Sequence, residues 1–108
     1  MAFDITTRVN GAIVEITLSG ELDARSAPRF QQELEAAASS KPATLVLHTR
    51  DLEYIASAGI RMLIFAKQKM GAAVTVYVVA PQEQVRDTLQ RTGLLNTVVV
   101  VDQYPPAT

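Results

Sequence analysis

The sequence predicts a single α/β domain whose mixed, mostly parallel sheet is opened by a β-hairpin. Two apolar-rich runs flank Asn10-Gly11, the dipeptide that most favours a two-residue hairpin turn. Leu45-Val46-Leu47 is an unbroken apolar run, the mark of a strand covered on both faces. Helix-spaced apolar residues then alternate with strand-like runs, which implies parallel pairing through right-handed crossovers.

Each element has its own signal. Phe3–Val9 and Ala12–Ser19 form the hairpin, with Asn10 and Gly11 accepting the positive φ of a type I′ turn. Val14, Ile16 and Leu18 alternate with Glu15 and Thr17, so one face is buried, and Gly20 ends the strand. Ser26 is placed to cap a first helix and Pro28 to sit in its first turn, where a missing N–H costs little. Phe30, Leu34 and Ala37 give that helix its inner face, and Ser39-Ser40-Lys41-Pro42 closes it. A central strand spans Thr44–His48. The second helix runs from about Ser57 to Gly71, with Ile60, Leu63, Ile64 and Met70 inward. Val74–Val79 is a fourth strand. Pro81 opens a third helix with Val85 and Leu89 inward, and Gly93 stops it before Leu94. Val98–Val101 is the fifth strand, and residues 103–108 are expected to be a loose tail.

Composition removes several function classes. The chain has 108 residues, 10 basic and 11 acidic, a formal charge of -1, 1 His and no Cys. Disulfides, thiolate metal sites and a cysteine nucleophile are therefore excluded. A near-neutral balance argues against nucleic acid as a partner. No apolar run approaches the roughly 18–20 residues of a membrane span, and the first residues lack a signal-peptide pattern, so a cytoplasmic protein is expected. The glycines show no dinucleotide or phosphate-loop spacing. His48 alone makes a zinc site improbable on chemical grounds. Ser57, His48 and Asp23 or Asp51 supply the residue types of a triad. However, Ala56-Ser57-Ala58-Gly59 lacks the nucleophile-elbow pattern. The expectation is a protein without catalytic residues, metal or cofactor.

One segment stands out, Asp51 to Leu63, in which Ser57 falls where a strand gives way to an apolar helix. Read from the residues alone, Ser57 is an N-cap whose hydroxyl satisfies an orphan backbone N–H, worth about 1 kcal/mol.

Three segments together resemble the single-domain STAS proteins, the bacterial anti-sigma factor antagonists. These are Gly20-Glu21-Leu22-Asp23, Tyr54-Ile55-Ala56-Ser57-Ala58-Gly59-Ile60-Arg61 and the third helix with Thr92-Gly93-Leu94. The resemblance covers almost the whole chain and implies one STAS domain over residues 1–108. It implies that the unphosphorylated chain binds an anti-sigma factor that is also a serine kinase, releasing a sigma factor. Phosphorylation of Ser57 would switch binding off and a protein phosphatase would restore it. The implied contact surface is Asp23, Ala56, Ser57, Ala58, Gly59 and Arg61. The chain departs from the usual family pattern at Ala56, where many members have Asp, at Ala58, where many have Ser or Thr, and at His48, where strand three often ends in Asp. Some stand-alone STAS proteins instead support lipid-transport ATPase complexes as accessory subunits, and a ligand-responsive sensor domain is a third reading.

A phosphate on Ser57 would add about -1.5 to -2 charge at a helix N-terminus, where such charge is accommodated. The expected switch is therefore a block at the partner, with the domain still folded. Arg61 lies one turn further along the helix, placed to meet the phosphate or an acidic partner group.

Overall fold

The computed structural model describes residues 2–106. Strands β1 (Asp4–Asn10) and β2 (Ile13–Leu22) form the hairpin, and α1 (Ala27–Ser39), β3 (Thr44–Ile55), α2 (Ser57–Met70), β4 (Thr75–Val79), α3 (Glu83–Arg91) and β5 (Val99–Val101) follow. The five strands lie in chain order, with β1 antiparallel to β2 and the remaining pairs parallel. This is the mixed, mostly parallel architecture the sequence predicts.

The alternation of β2 sends Val14, Ile16 and Leu18 to one face, where Leu45 and Leu47 of β3 and Val76 and Val78 of β4 join them. All three helices close over that face through Phe30 and Leu34, Ile60 and Leu63, and Val85 and Leu89. Glu15, Thr17, Val46, His48 and Tyr77 occupy the other face, and among the described residues the core side chains of the helices all pack on the first.

Several local expectations are corrected. The hairpin register pairs Asn10 with Ile13, so the turn residues are Gly11-Ala12 rather than Asn10-Gly11. Of the two turn residues Gly11 alone has positive φ, at 62°, the pattern of a type II′ turn with glycine first. This register sets Arg8 opposite Glu15, and their side chains pair at 3.3 Å.

Gly20 does not end β2. It adopts φ 84° inside the strand, where a Cβ would stand 1.8 Å from the carbonyl oxygen of Ala2. The chain kinks there and continues, with shifts in register against β3 on either side. Correspondingly β3 does not stop at His48 but runs to Ile55, because the β2 extension gives it a partner and Leu52 and Ile55 reach the core.

Ser26 does not cap α1 with its side chain. Its hydroxyl is turned back, accepting from the Asp23 N–H at 2.9 Å and donating to the Glu21 carbonyl at 2.9 Å. Ile64 is 40% exposed rather than inward. In the tail, Tyr104 is held against Tyr77 with ring centroids 5.2 Å apart, while residues 107–108 lie outside the described part.

Candidate functional site

The C-terminal ends of β2 and β3 converge on the start of α2. The Ala56 N–H donates to the Leu22 carbonyl at 2.9 Å, which ties the β3–α2 junction to the end of β2. The Ala56 carbonyl then accepts from Gly59 at 3.0 Å and Ile60 at 3.1 Å. Ala56, with extended backbone, is therefore the N-cap, and Ser57 is the first helical residue. An alanine can hold this position because its backbone carbonyl starts the helix, although it brings no side-chain acceptor.

That displacement by one residue frees the Ser57 hydroxyl. Ser57 is exposed, and among the described residues its side chain makes no hydrogen bond. The capping role expected from sequence is not realised. The N–H groups of Ser57 and Ala58 have no intrahelical acceptor, and the first turn of α2 carries no acidic residue. A free hydroxyl thus stands at the positive end of a 14-residue helix with no carboxylate of the helix beside it.

Gly59 makes the close approach possible. A Cβ on it would lie 2.8 Å from both Ile55 Cγ1 and Leu22 Cγ, so the first turn of α2 seats directly on the two strand ends. Gly59 is buried and Ala58 half-buried, which leaves Ser57 as the residue of this turn that projects outward. Arg61 and Ile64, four and seven positions on, are also exposed and share its helical stripe. Tyr54, at 42% exposure, stands just before the junction.

Asp23 lies on the adjoining β2–α1 turn and is half-buried. Its Oδ1 accepts from the N–H groups of Arg25 at 3.0 Å and Ser26 at 3.2 Å. The Ser26 N–H bond is the chief reason its carboxyl is held below the usual value of 3.8. Asp23 therefore shapes its own turn. The Leu22–Ala56 hydrogen bond brings that turn alongside the Ser57 junction.

The family model described as STAS domain matches residues 4–105. The chain belongs to the STAS family. Anti-sigma-F factor antagonist RsfB of Mycobacterium tuberculosis is 24% identical over 93 residues, which span 86% of this chain and 76% of that protein. An anti-sigma factor antagonist from Mycobacterium paratuberculosis superposes with TM-score 0.86 at 24% identity, covering 95% of this chain and 88% of that one. The Anti-Sigma Factor Antagonist SpoIIAA in its unphosphorylated form superposes with TM-score 0.79 at 22% identity over 94% of this chain and 90% of that one. For this STAS chain the matches fix the fold, while its own side chains describe the site.

Two features of the site escaped the sequence reading. Tyr54 and Ile64 add apolar surface beside Ser57, and the helical spacing of Ile64 from Ser57 and Arg61 was the available signal. Gln84 of α3 binds the Ile55 main chain, and nothing in the local sequence marks that glutamine. His48, by contrast, lies on the sheet face opposite the helices with Nε2 2.8 Å from Glu15 Oε1. Among the described residues, no group of three or more His, Asp or Glu side chains is arranged to hold a metal, and no helix is long and apolar enough to cross a membrane.

Proposed function

We propose that this STAS protein is an anti-sigma factor antagonist whose binding is switched by phosphorylation of Ser57. The observation that carries the reading is the exposed Ser57 hydroxyl, unbonded among the described residues, at the N-terminus of α2. The similarity to proteins named anti-sigma factor antagonists supplies the partner class. In the unphosphorylated state Ser57, Ala58 and Arg61, flanked by Tyr54 and Ile64, meet an anti-sigma factor that also carries serine kinase activity. Ala56 and Gly59 set the backbone of that surface, and Asp23 contributes from the adjoining turn.

The modification step is ordinary phosphoryl transfer. Ser57 Oγ bonds to the γ-phosphorus of ATP, its proton passes to a base on the kinase, and ADP leaves. The new dianion sits at the helix N-terminus, which stabilises it by about 0.3–1 kcal/mol, so the fold persists. Partner release then comes from bulk and like charge at the interface. A clash of roughly 3–4 kcal/mol corresponds to a several-hundredfold loss of affinity. A protein phosphatase resets the cycle.

The test is phosphosite mapping on protein purified from its native cells across growth and stress conditions, with the co-purifying proteins identified from the same samples. A condition-dependent phosphate on Ser57, with an anti-sigma factor retained only by the unmodified form, is the expected result. Ser57 unmodified in every condition, with a transport ATPase as the constant companion, would overturn the reading in favour of an accessory subunit.

A further inference from the structure

β3 outruns its neighbour β4. The β3–β4 ladder ends at His48 and Val79, while the β2–β3 ladder continues to Leu22 and Ile55. The last stretch of β3 therefore has a strand on one side only, and its other edge must find partners elsewhere. At Ile55 that partner is a side chain. The Ile55 N–H donates to Gln84 Oε1 at 2.9 Å, and Gln84 Nε2 donates to the Ile55 carbonyl at 3.2 Å. A primary amide carries the same donor and acceptor pair as a peptide unit, so Gln84 takes the place of one residue of a missing strand.

The glutamine is itself held. Its Nε2 also donates to Thr88 Oγ1 at 3.2 Å, and the Thr88 hydroxyl donates to the Gln84 carbonyl at 2.9 Å. Gln82 does the same work further back on β3, donating to the Arg50 carbonyl at 2.8 Å. The N-terminus of α3 is thus bonded along the open edge of β3.

The consequence lies two residues on. Ile55 is bonded by Gln84 at both backbone polar groups, and Ala56 is bonded through Leu22, Gly59 and Ile60. Ser57 is the next residue, and it extends from a base fixed from two sides, by β2 and by α3.

We propose that Gln84 is the positioning residue of Ser57, and that α3 sets how readily this serine is phosphorylated. The proposal rests on Ser57 being the modified residue. Phosphoryl transfer needs the attacking oxygen in line with the leaving group, and misplacement by about 1 Å costs on the order of 100-fold in rate. Without the Gln84 amide, the start of α2 retains its tie to Leu22 and loses the one to α3.

The experiment compares full-length wild type with Gln84→Ala, Gln84→Glu and Ile5→Ala in native cells. Ile5→Ala is a control for stability, since Ile5 packs against the core from β1, far along the chain from this junction. Purified proteins are compared by thermal unfolding and by amide hydrogen exchange at Ile55. Gln84→Ala is expected to speed Ile55 exchange at least 10-fold and to lower the phosphorylated fraction of Ser57 at least fivefold, by analogy with the positional sensitivity above. Gln84→Glu keeps the acceptor and loses the donor, so intermediate values are expected. Ile5→Ala should lower Tm without changing the phosphorylated fraction. If Gln84→Ala does not accumulate, Gln84→Glu and Thr88→Val carry the comparison. A phosphorylated fraction in the Gln84 variants equal to that of Ile5→Ala would reduce Gln84 to a structural contact and overturn the proposal. An unmodified Ser57 in the wild type would be seen before any variant is compared, and would remove the Ser57 reading and this proposal together.

Discussion

A methyl group on Gly59 would stand 2.8 Å from Cγ of Leu22, a side chain with no exposed surface at all. The same methyl would also stand 2.8 Å from Cγ1 of Ile55. The first turn of α2 is therefore seated on the strand ends at backbone distance, and this seating turns the Ser57 side chain outward.

Gly59→Ala should be destabilising despite alanine being the better helix former. Propensity favours alanine by up to about 1 kcal/mol, while overpacking a closed core costs about 1–3 kcal/mol. Leu22 cannot swing into solvent, so the clash wins. A net loss of about 1–2 kcal/mol is expected, read as a lower urea midpoint and a Tm lower by about 5–12 °C. Equal or higher stability would show that the helix seats less closely than described.

Ser57→Ala should leave stability within about 0.5 kcal/mol of wild type, because no cap is lost. Had Ser57 been the capping residue, the cost would be about 1 kcal/mol. Ser57→Asp should be at least as stable as wild type, since a carboxylate in the first turn of α2 meets the positive end of the helix. Thermal unfolding of the three proteins at low ionic strength separates these cases. Capture of the anti-sigma factor should survive Ser57→Ala and be lost in Ser57→Asp.

The same serine shows what was legible in the sequence and what was not. Element types and order follow from apolar period, and Val14, Ile16, Leu18, Leu45 and Leu47 are buried as their pattern predicts. The position of Ser57 at the strand-to-helix junction was equally plain. Its hydrogen bonding was not, because a one-residue difference in where the helix starts decides whether the hydroxyl caps or is free. The length of β3 was hidden for another reason. Thr49-Arg50-Asp51 reads as polar, yet pairing with the extended β2 holds it in the sheet, and Thr49 is buried by donating to the Val79 carbonyl at 2.7 Å. Gln84 depends on a contact across 29 residues of chain, which no local pattern encodes.

On the sheet face opposite the helices, Glu15 lies between His48 at 2.8 Å and Arg8 at 3.3 Å, with a side chain only 15% exposed. The hydrogen bond from His48 is the leading cause that holds its carboxyl below the ordinary value of 4.5, with burial opposing and Arg8 assisting. The folded protein thus binds this proton less readily than the unfolded chain. The resulting stabilisation is present above about pH 4.5 and is lost as pH falls through the lower, folded-state value. Wild type should exceed Glu15→Gln in urea midpoint at pH 6, and the gap should close below pH 4.5. A gap that stays constant between pH 6 and pH 3 would rule out this contact as its source.

Asp23 has a carboxylate that shapes a turn lying alongside the Ser57 junction, and two substitutions separate its part in that turn from any part at the partner surface. Asp23→Asn keeps an oxygen able to accept from the Arg25 and Ser26 N–H groups and removes only the charge. Asp23→Ala removes both. Thermal unfolding should therefore show the larger loss in Asp23→Ala, and the wild-type advantage over either should fade as pH drops below 3.8, since the carboxyl is held below that value in the fold. If the charge itself is read by the anti-sigma factor, Asp23→Asn weakens capture with the fold intact, and the weakening is smaller at high salt, as for any exposed charge pair. Capture unchanged in Asp23→Asn but reduced in Asp23→Ala would assign Asp23 to the turn alone, and would leave Ser57 and Arg61 as the polar side chains that meet the partner.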